Sequence, residues 1–457
     1  MTEWNPKKDT VLTTDVLVVG GGTSGAVAAI AAARSGARTI LVEQNGFLGG
    51  TATAALVTPM MSNHIDRHPL NTGISEEINT LLAQSGDGAT AQDGNSGWFN
   101  PEKLKFVLEH LAVEAGVRCL YYSFVHELLI ENNCVAGIVV GNKSGRILIR
   151  AEVTIDATGD GDIAYRSNAP FESGNPYNNG KNQAMSMRFH MGNVSLPKVA
   201  DYIRSIGGIC ADYPFMHAAS VWGSHMPLEP VLQQAVDDGI LKPSDGEYFQ
   251  FFSVPGRPGE LAFNCPRITG NVDGTNIFHL TEAVLQGRDI ILRLEQFLKR
   301  YIPGFEQAYI VLTSQMVGVR ESRRIMGEYT LTEKDVCTGA KFTDAIARSC
   351  YPIDVHNPNR DENGSPDDFR HLPEGQFCEI PYRCLVPKKI DSLLVAGRCI
   401  SADFYAQSAI RIESNCRALG EAAGTAAAMC VERGIKPREL EGETLRSKLI
   451  QNGCNLA

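Results

Sequence analysis

The sequence lacks the marks of several common classes of protein. No apolar run in its 457 residues approaches the ~20 that a membrane span requires. The opening MTEWNPKKDT has no apolar core of a signal peptide. A cytoplasmic chain without a membrane partner is the expectation. Basic residues are not in excess: 42 Lys and Arg face 52 Asp and Glu, a formal net charge of −10, which argues against a nucleic-acid surface. There are 12 cysteines but no C-x-x-C, no C-x4-C, and no zinc or iron–sulfur spacing. In a reducing compartment they read as small buried hydrophobes, and no metal site is expected.

What is present is glycine, 44 residues of it, concentrated where a backbone must be bare. DVLVVGGGTSGAVAAIAAARSGARTILVE, Asp15 to Glu43, reads as a buried strand, a glycine turn, an alanine-rich helix from about Thr23 to Ser35, and a second strand, Thr39 to Val42. Gly20, Gly22 and Gly25 are spaced G-x-G-x-x-G. Gly20 permits the turn, Gly22 removes a Cβ from the path of a pyrophosphate, and Gly25 with Ala29 lets the helix lie close on the sheet. The helix N-terminus offers N–H groups and partial positive charge to a diphosphate. Glu43 stands where a carboxylate accepts ribose hydroxyls. This is a Rossmann-like βαβ unit for an ADP-containing cofactor.

Three later stretches bear on which cofactor. NGFLGGTATAA places Gly49, Gly50, Thr51 and Thr53 in a loop that a cofactor longer than ADP would meet. Val153 to Ile155 reads as a strand, followed by Ala157-Thr158-Gly159-Asp160-Gly161-Asp162; its two carboxylates suit a magnesium ion, an Asx-turn pair or cofactor hydroxyls. Upstream, a strand and a β-hairpin or meander turn at Asn132-Asn133 and at Asn142 to Gly145. Leu393 to Ala396 is a buried strand ending at Gly397-Arg398, and Ser414 is placed to cap a helix whose Ala418, Ala422 and Ala426 recur every four residues. Such a helix N-terminus can stabilise negative charge on a reduced flavin.

VVGGGTSGAVAA, GGTATAA, DATGDGDIA, GVRESRRIMGEYTLTEKDV, EIPYRCLVPK and LLVAGRCISAD with AIRIESNCRALGEAAGTAAA together resemble the FAD-dependent oxidoreductase family with a glutathione-reductase-like cofactor domain. The chain is more distantly similar to the flavoprotein subunits of fumarate reductase and succinate dehydrogenase. The resemblance implies an α/β fold: a glutathione-reductase-type FAD-binding domain with a β-meander insertion, interrupted by an α+β substrate cap. It divides the chain into FAD-binding residues 1–165, cap residues 166–377 and FAD-binding residues 378–457. It implies FAD on Gly20, Gly22, Thr23, Ser24, Gly25, Glu43 and Gln44 for the ADP half. It puts Gly49, Gly50, Thr51 and Thr53 near the ribityl or flavin, Val125, Ala157, Thr158, Gly159 and Asp162 along the cofactor, and Gly397, Arg398 and Ile412 near the isoalloxazine. Related flavoproteins often tether the flavin through a histidine past the glycine loop; Gly50 to Thr53 contains none, so the FAD is expected to be non-covalent. FYAQSAIR after GRCISAD also departs from the family pattern, which makes Tyr405 and Gln407 candidates for substrate preference.

For catalysis, Arg320, Glu321, Arg323 and Arg324 stand within five positions. On a helix the arginines would share a face and clamp a carboxylate, or they anchor the cap through salt bridges. Arg411 has the better positional claim, with Arg383 a further candidate; Tyr405 and Asp403 precede it in the same loop. His190, His217 and His225 are general-base candidates in the cap, and YFQFFSV either lines the pocket or forms core. No second G-x-G-x-x-G occurs, so electrons are expected to pass directly between FAD and a small molecule, with a further donor or acceptor unidentified. The expected activity is hydride transfer between a small polar, potentially anionic, metabolite and flavin N5. Alternatives are an oxidase forming hydrogen peroxide and a subunit relaying electrons within a complex. Self-association into a homo-oligomer is left open.

Overall fold

A computed structural model describes residues 10–208, 210, 217–219, 227–246, 248–358 and 368–457. Its first sheet is built from β1 (Thr10–Val19), β2 (Thr39–Val42), β3 (Arg118–Leu120), β4 (Phe124–Glu131), β5 (Cys134–Asn142) and β6 (Gly145–Asp156). The order is β3-β2-β1-β6-β5-β4, parallel from β3 to β6 and antiparallel from β6 to β4. Residues 16–19 are buried on both faces, which is why the strand reads as a continuous apolar run rather than an alternating one.

β6 corrects the expectation of a hairpin strand followed by a separate strand at 153–155. Nothing in ILIRAEVTID breaks an extended chain, so one strand of 12 residues runs through both. Its start, Gly145 to Arg150, pairs with β5, and its end, Thr154 to Asp156, pairs with the late strand β12, Leu393–Val395, while its whole length lies along β1.

Helix α1 (Thr23–Arg34) crosses from β1 to β2. It packs on the long helix α4, Glu413–Arg433, whose glycines set the spacing. A Cβ on Gly420 would stand 2.2 Å from the Ser24 carbonyl oxygen, and one on Gly424 2.1 Å from that of Ala28. The alanine repeat noted in the sequence fills the surrounding core, with Ala422 and Ala426 fully buried. Glycine, four residues apart, is what brings the two backbones together. Ser414 does not cap α4: the N-cap position is Ile412, and no side chain caps the end.

A second sheet is antiparallel: β7 (Phe189–Gly192), β8 (His217–Ala219), β9 (Gln250–Ser253), β10 (Leu261–Phe263) and β11 (Tyr309–Thr313), in the order β8-β9-β10-β7-β11. Helix α2 (Ile277–Tyr301) covers it. Two hydrophobic cores result, one drawing on residues from Val16 to Ala169 and from Ile325 to Leu456, the other on residues from Met185 to Val319. Ile325, Leu331, Ile346 and Ile353, in a stretch read from sequence as cap, thus pack with the first core. Arg188 joins the two units by donating from Nη1 to the Thr58 carbonyl at 3.1 Å, and the Gln315 N–H donates to Ala54 O at 2.8 Å. Among the described residues no helix is long and apolar enough to cross a membrane.

Candidate functional site

The glycine turn has the shape that a diphosphate needs. Gly20 has φ +94°, and a Cβ on it would meet the Ala157 carbonyl at 2.5 Å; one on Gly25 would meet Gly20 O at 1.8 Å. These two glycines are demanded by packing. Gly22 differs: a Cβ there would meet only the Gly50 Cα, at 3.8 Å, so it would stand in open space between the two glycine loops. Gly22 is also the N-cap of α1, with no side chain on the helix's first N–H groups. The bare backbone at Gly22 and the uncapped end fit a diphosphate.

Glu43 organises the same region. Its Oε2 accepts from the Gly21 N–H at 2.6 Å and its Oε1 from the Asn45 N–H at 2.7 Å, while burial pushes its carboxyl pKa up. Gln44 beside it is exposed. The Thr23 hydroxyl reaches the Gly49 carbonyl and the Thr51 hydroxyl, both at 3.2 Å, which clamps the second glycine loop onto α1. Thr53 turns inward, donating to Leu48 O at 2.8 Å. Gly397 approaches α1 so closely that a Cβ would lie 2.5 Å from Ser24 Oγ.

The loop after β6 is held by Asp156, a residue the sequence reading passed over. Its Oδ1 accepts from the Thr158 hydroxyl at 2.7 Å and its Oδ2 from the Ile163 and Ala164 N–H groups at 2.9 Å. Burial nevertheless raises it to about 6. Asp160 takes a short contact from Arg398 and accepts from Ser322 Oγ at 2.6 Å, and Asp162 pairs with Arg323 at 2.8 Å. Each of these carboxylates thus has an arginine partner, and among the described residues no group of three or more His, Cys, Asp or Glu could hold a metal ion. Gly159 faces Arg398, whose Nη2 would be 3.3 Å from a Cβ there. Val125 lies on β4, where its carbonyl accepts from Arg166 at 3.1 Å.

Between the two cores lies a cationic cluster: Arg188, Arg267, Arg320 and Arg411, with Tyr248, Tyr351, Asp354 and His356. Arg320, Arg411 and Arg267 lie close enough to repel one another, which together with desolvation, the larger cause, depresses Arg320 to about 10. Arg320 nevertheless keeps accessible surface. Burial also lowers Arg188. Two carboxylates face the four guanidiniums among the described residues: Glu413, beside Arg188, and Asp354, which accepts from the Tyr351 hydroxyl at 2.9 Å and pairs with Arg411 at 3.4 Å. Burial opposes its charge, but His356, Arg411 and Tyr351 outweigh that and hold it well below the usual carboxylate range. Arg267 Nη2 donates to His356 Nδ1 at 2.9 Å, and the same guanidinium lies over the Tyr248 ring, 5.0 Å from its centre.

The cluster adjoins the cofactor elements. Gln407 is fully buried on α3 (Phe404–Ile410) and donates from Nε2 to the carbonyls of Arg320, at 3.1 Å, and Arg398, at 3.3 Å. Arg411 follows α3 directly, and Ile412, almost fully buried, opens α4.

Several expectations need correction. Arg320, Arg323 and Arg324 do not share a helix face: the segment is extended, and Arg323–Ile325 pairs as a strand with Phe171–Ser173. The two readings of this stretch therefore divide between its members. Arg320 enters the cluster, whereas Arg324 forms a buried pair with Glu321, and Arg323 binds Asp162. Asp403 is the N-cap of α3, its carboxylate accepting from Ala406 N at 2.8 Å and Glu333 N at 2.7 Å, so it is spent on structure. Tyr405 stacks on Tyr177 with ring centres 6.1 Å apart and carries Arg370 at 4.6 Å. Arg383 pairs with Asp344. His190 Nδ1 is 2.8 Å from Glu260 in the antiparallel sheet. His225 and the His217 side chain lie outside the described residues. Within YFQFFSV Phe249 and Phe251 are core, packing around Phe263 and Phe297, Phe252 packs on Trp98, and Tyr248 turns to the cluster.

The family model described as FAD dependent oxidoreductase matches residues 15–449. The chain belongs to this family of flavoprotein oxidoreductases, and its first sheet holds a parallel βαβ unit of the Rossmann type. It is 30% identical over 166 residues to thiamine thiazole synthase of Aeropyrum pernix, across 34% of this chain and 58% of that one. It is 27% identical over 148 residues to digeranylgeranylglycerophospholipid reductase 2 of Methanopyrus kandleri, across 32% and 37%. The chain therefore spans 58% of the first of these relatives and 37% of the second. A solved geranylgeranyl bacteriochlorophyll reductase-like protein of Thermoplasma acidophilum aligns over 97% of this chain and 85% of that one, at 16% identity and a TM-score of 0.46.

Proposed function

We propose that this FAD-dependent oxidoreductase acts on a small metabolite that carries a carboxylate, and that Arg320 and Arg411, with Arg188 and Arg267, bind it. The observation that carries the reading is the cluster itself: four guanidiniums between two cores face two carboxylates, Asp354 and Glu413, among the described residues, and Arg320 keeps accessible surface. Burying unbalanced positive charge costs free energy, and an anion entering the site offsets that cost with charge-assisted hydrogen bonds.

FAD, when bound, supplies two-electron chemistry at its isoalloxazine ring. The chain's residues hold and orient. Gly20, Gly22 and Gly25 with the N-terminus of α1 support the diphosphate, and Glu43, fixed by Gly21 and Asn45, faces the ribose. Thr51, Arg398 and Ile412 border the isoalloxazine, non-covalently held. Gln407, tied to the Arg320 and Arg398 carbonyls, sets the guanidinium cluster against that border. Reduced to this division of labour, residues 10–169 with 325–457 are the cofactor unit and residues 185–319 the substrate unit.

Anaerobic mixing of the holoenzyme with a panel of hydroxy-, amino- and unsaturated carboxylates, in both oxidised and dithionite-reduced forms, tests the reading. Bleaching or recovery of flavin colour with a carboxylate, and none with its amide, supports it. Equal response to acid and amide overturns it.

A further inference from the structure

One buried acid has no role in this account so far. Glu413 is the first residue of α4, 6% exposed, and neither carboxylate oxygen has a hydrogen-bond partner among the described residues. It follows Ile412 in sequence and lies beside the Thr51 side chain in space, and both are groups assigned above to the flavin border. The next residue, Ser414, lines a polar cavity with Asn63, His64, Asn71, Glu76 and Asn79. That cavity's walls continue inward through hydrogen bonds. Asn63 and Asn71 donate to Asn415 Oδ1 at 3.0 and 2.8 Å, and Arg417 Nη1 donates to Asn79 Oδ1 at 2.9 Å. Behind that lining, the Asn415 amide nitrogen and Arg417 Nη2 have no partner among the described residues. A polar cavity backed by unfilled hydrogen-bonding groups is a place for water.

We propose that Glu413 carries the proton that accompanies each electron pair at the flavin border, and that the Ser414 cavity connects it to solvent. The inference rests on the placement of FAD given above. Only an O–H bond is made or broken at Glu413. Its carboxyl releases a proton to the reacting centre when an electron pair arrives, and the carboxylate then takes one from water in the cavity. In the reverse direction the proton leaves by the same route. No oxidant or reductant is required beyond FAD and the substrate.

The charges around Glu413 make it able to do this near neutrality. Burial, the larger cause, raises its carboxyl to about 7 against the opposing pull of Arg417, Arg188 and the Thr51 hydroxyl. The other titratable groups facing it change charge far from that range: the Cys416 thiol is pushed up to about 12, and Arg417 is lowered only to about 10. Arg188 is lowered by burial and stays a guanidinium, which does not deprotonate near neutral pH.

The test is the pH dependence of the flavin midpoint potential in the holoenzyme, read spectroscopically without turnover. The wild type is expected to show a change of slope near pH 7, lost in E413Q and restored at a shifted pH in E413D. In S414L, which blocks the cavity, the break stays but the flavin spectrum relaxes at least about tenfold more slowly after a pH jump. A wild-type protein without bound FAD overturns the FAD placement on which the proposal stands. A wild type that binds FAD but shows no break, or a break retained in E413Q, overturns the role of Glu413. Unchanged relaxation in S414L overturns the cavity as its route. If E413Q does not hold FAD, wild type and E413D decide, since identical breaks in both overturn the assignment.

Discussion

Arg267 donates from Nη2 to Nδ1 of His356 at 2.9 Å, and that single contact fixes the histidine. A guanidinium has no acceptor, so Nδ1 must accept, and the ring proton belongs on Nε2. Nε2 lies 3.2 Å from Asp354 Oδ2, which accepts it. Asp354 in turn takes the Tyr351 hydroxyl and pairs with Arg411. His356 is therefore a spacer that transmits orientation from Arg267 to Arg411, not an acid waiting beside the substrate. His356→Asn should keep FAD and raise KM for the carboxylate about tenfold or more, with a smaller change in kcat, measured by steady-state kinetics.

Asp354 gives this network a predictable pH dependence. Its carboxyl is held well below the usual range in the folded chain, so its contribution to stability is fully present above the unfolded carboxylate pKa of about 4 and is lost as pH falls further. Denaturant melts of wild type and Asp354→Asn at several pH values should show a constant gap from about pH 5 to 8 that narrows only in more acidic solution.

Glu413 has the opposite sign. A raised carboxyl pKa means that the unfolded chain loses its proton first, so stability falls as pH rises from about 4.5 towards about 7 and is level above that. Glu413→Gln should be more stable than wild type by about 1–3 kcal/mol above neutrality, with the gap closing in acid. Thermal melts of FAD-free protein across this range check it.

Gly22 and Gly424 separate cofactor binding from folding. A Cβ at Gly22 stands in open space, so Gly22→Ala should melt like wild type yet lose FAD, seen as the flavin-to-protein absorbance ratio after dialysis. A Cβ at Gly424 runs into the Ala28 carbonyl at 2.1 Å, so Gly424→Ala should cost about 1–3 kcal/mol of stability, and FAD loss would follow unfolding rather than precede it.

The cofactor end was legible because its signals are local. The strand, the G-x-G-x-x-G turn, the alanine helix and Glu43 lie within one βαβ unit, each residue type demanded by a neighbour close in sequence. Asp156 was missed although it ends the same kind of strand, since three of its partners, beside the Thr158 hydroxyl, are backbone N–H groups that leave no mark in the sequence. The arginine cluster was only half legible. Arg320 and Arg411 were picked out, but Arg188 and Arg267 stand alone among unrelated residues, and only the folding of the antiparallel sheet against the first core brings them near. A readable hint existed at Tyr351-Pro-Ile-Asp-Val-His356: on the strand Ile353–Val355, Asp354 and His356 are two apart and so share a side. The helical reading of Arg320 to Arg324 failed because a dense run of arginines says nothing of period; pairing with Phe171–Ser173 decided it.

The central claim is that the guanidinium cluster binds a carboxylate beside FAD. The most direct measurement is an equilibrium titration of the oxidised holoenzyme with simple mono- and dicarboxylates, following the flavin absorption difference spectrum, in wild type and in the Arg320→Gln, Arg411→Gln double variant. A saturable shift in the wild type, weakened at least about a hundredfold in the double variant with FAD retained, is the predicted result. A flavin spectrum that responds to no carboxylate, or responds equally in both proteins, would contradict it.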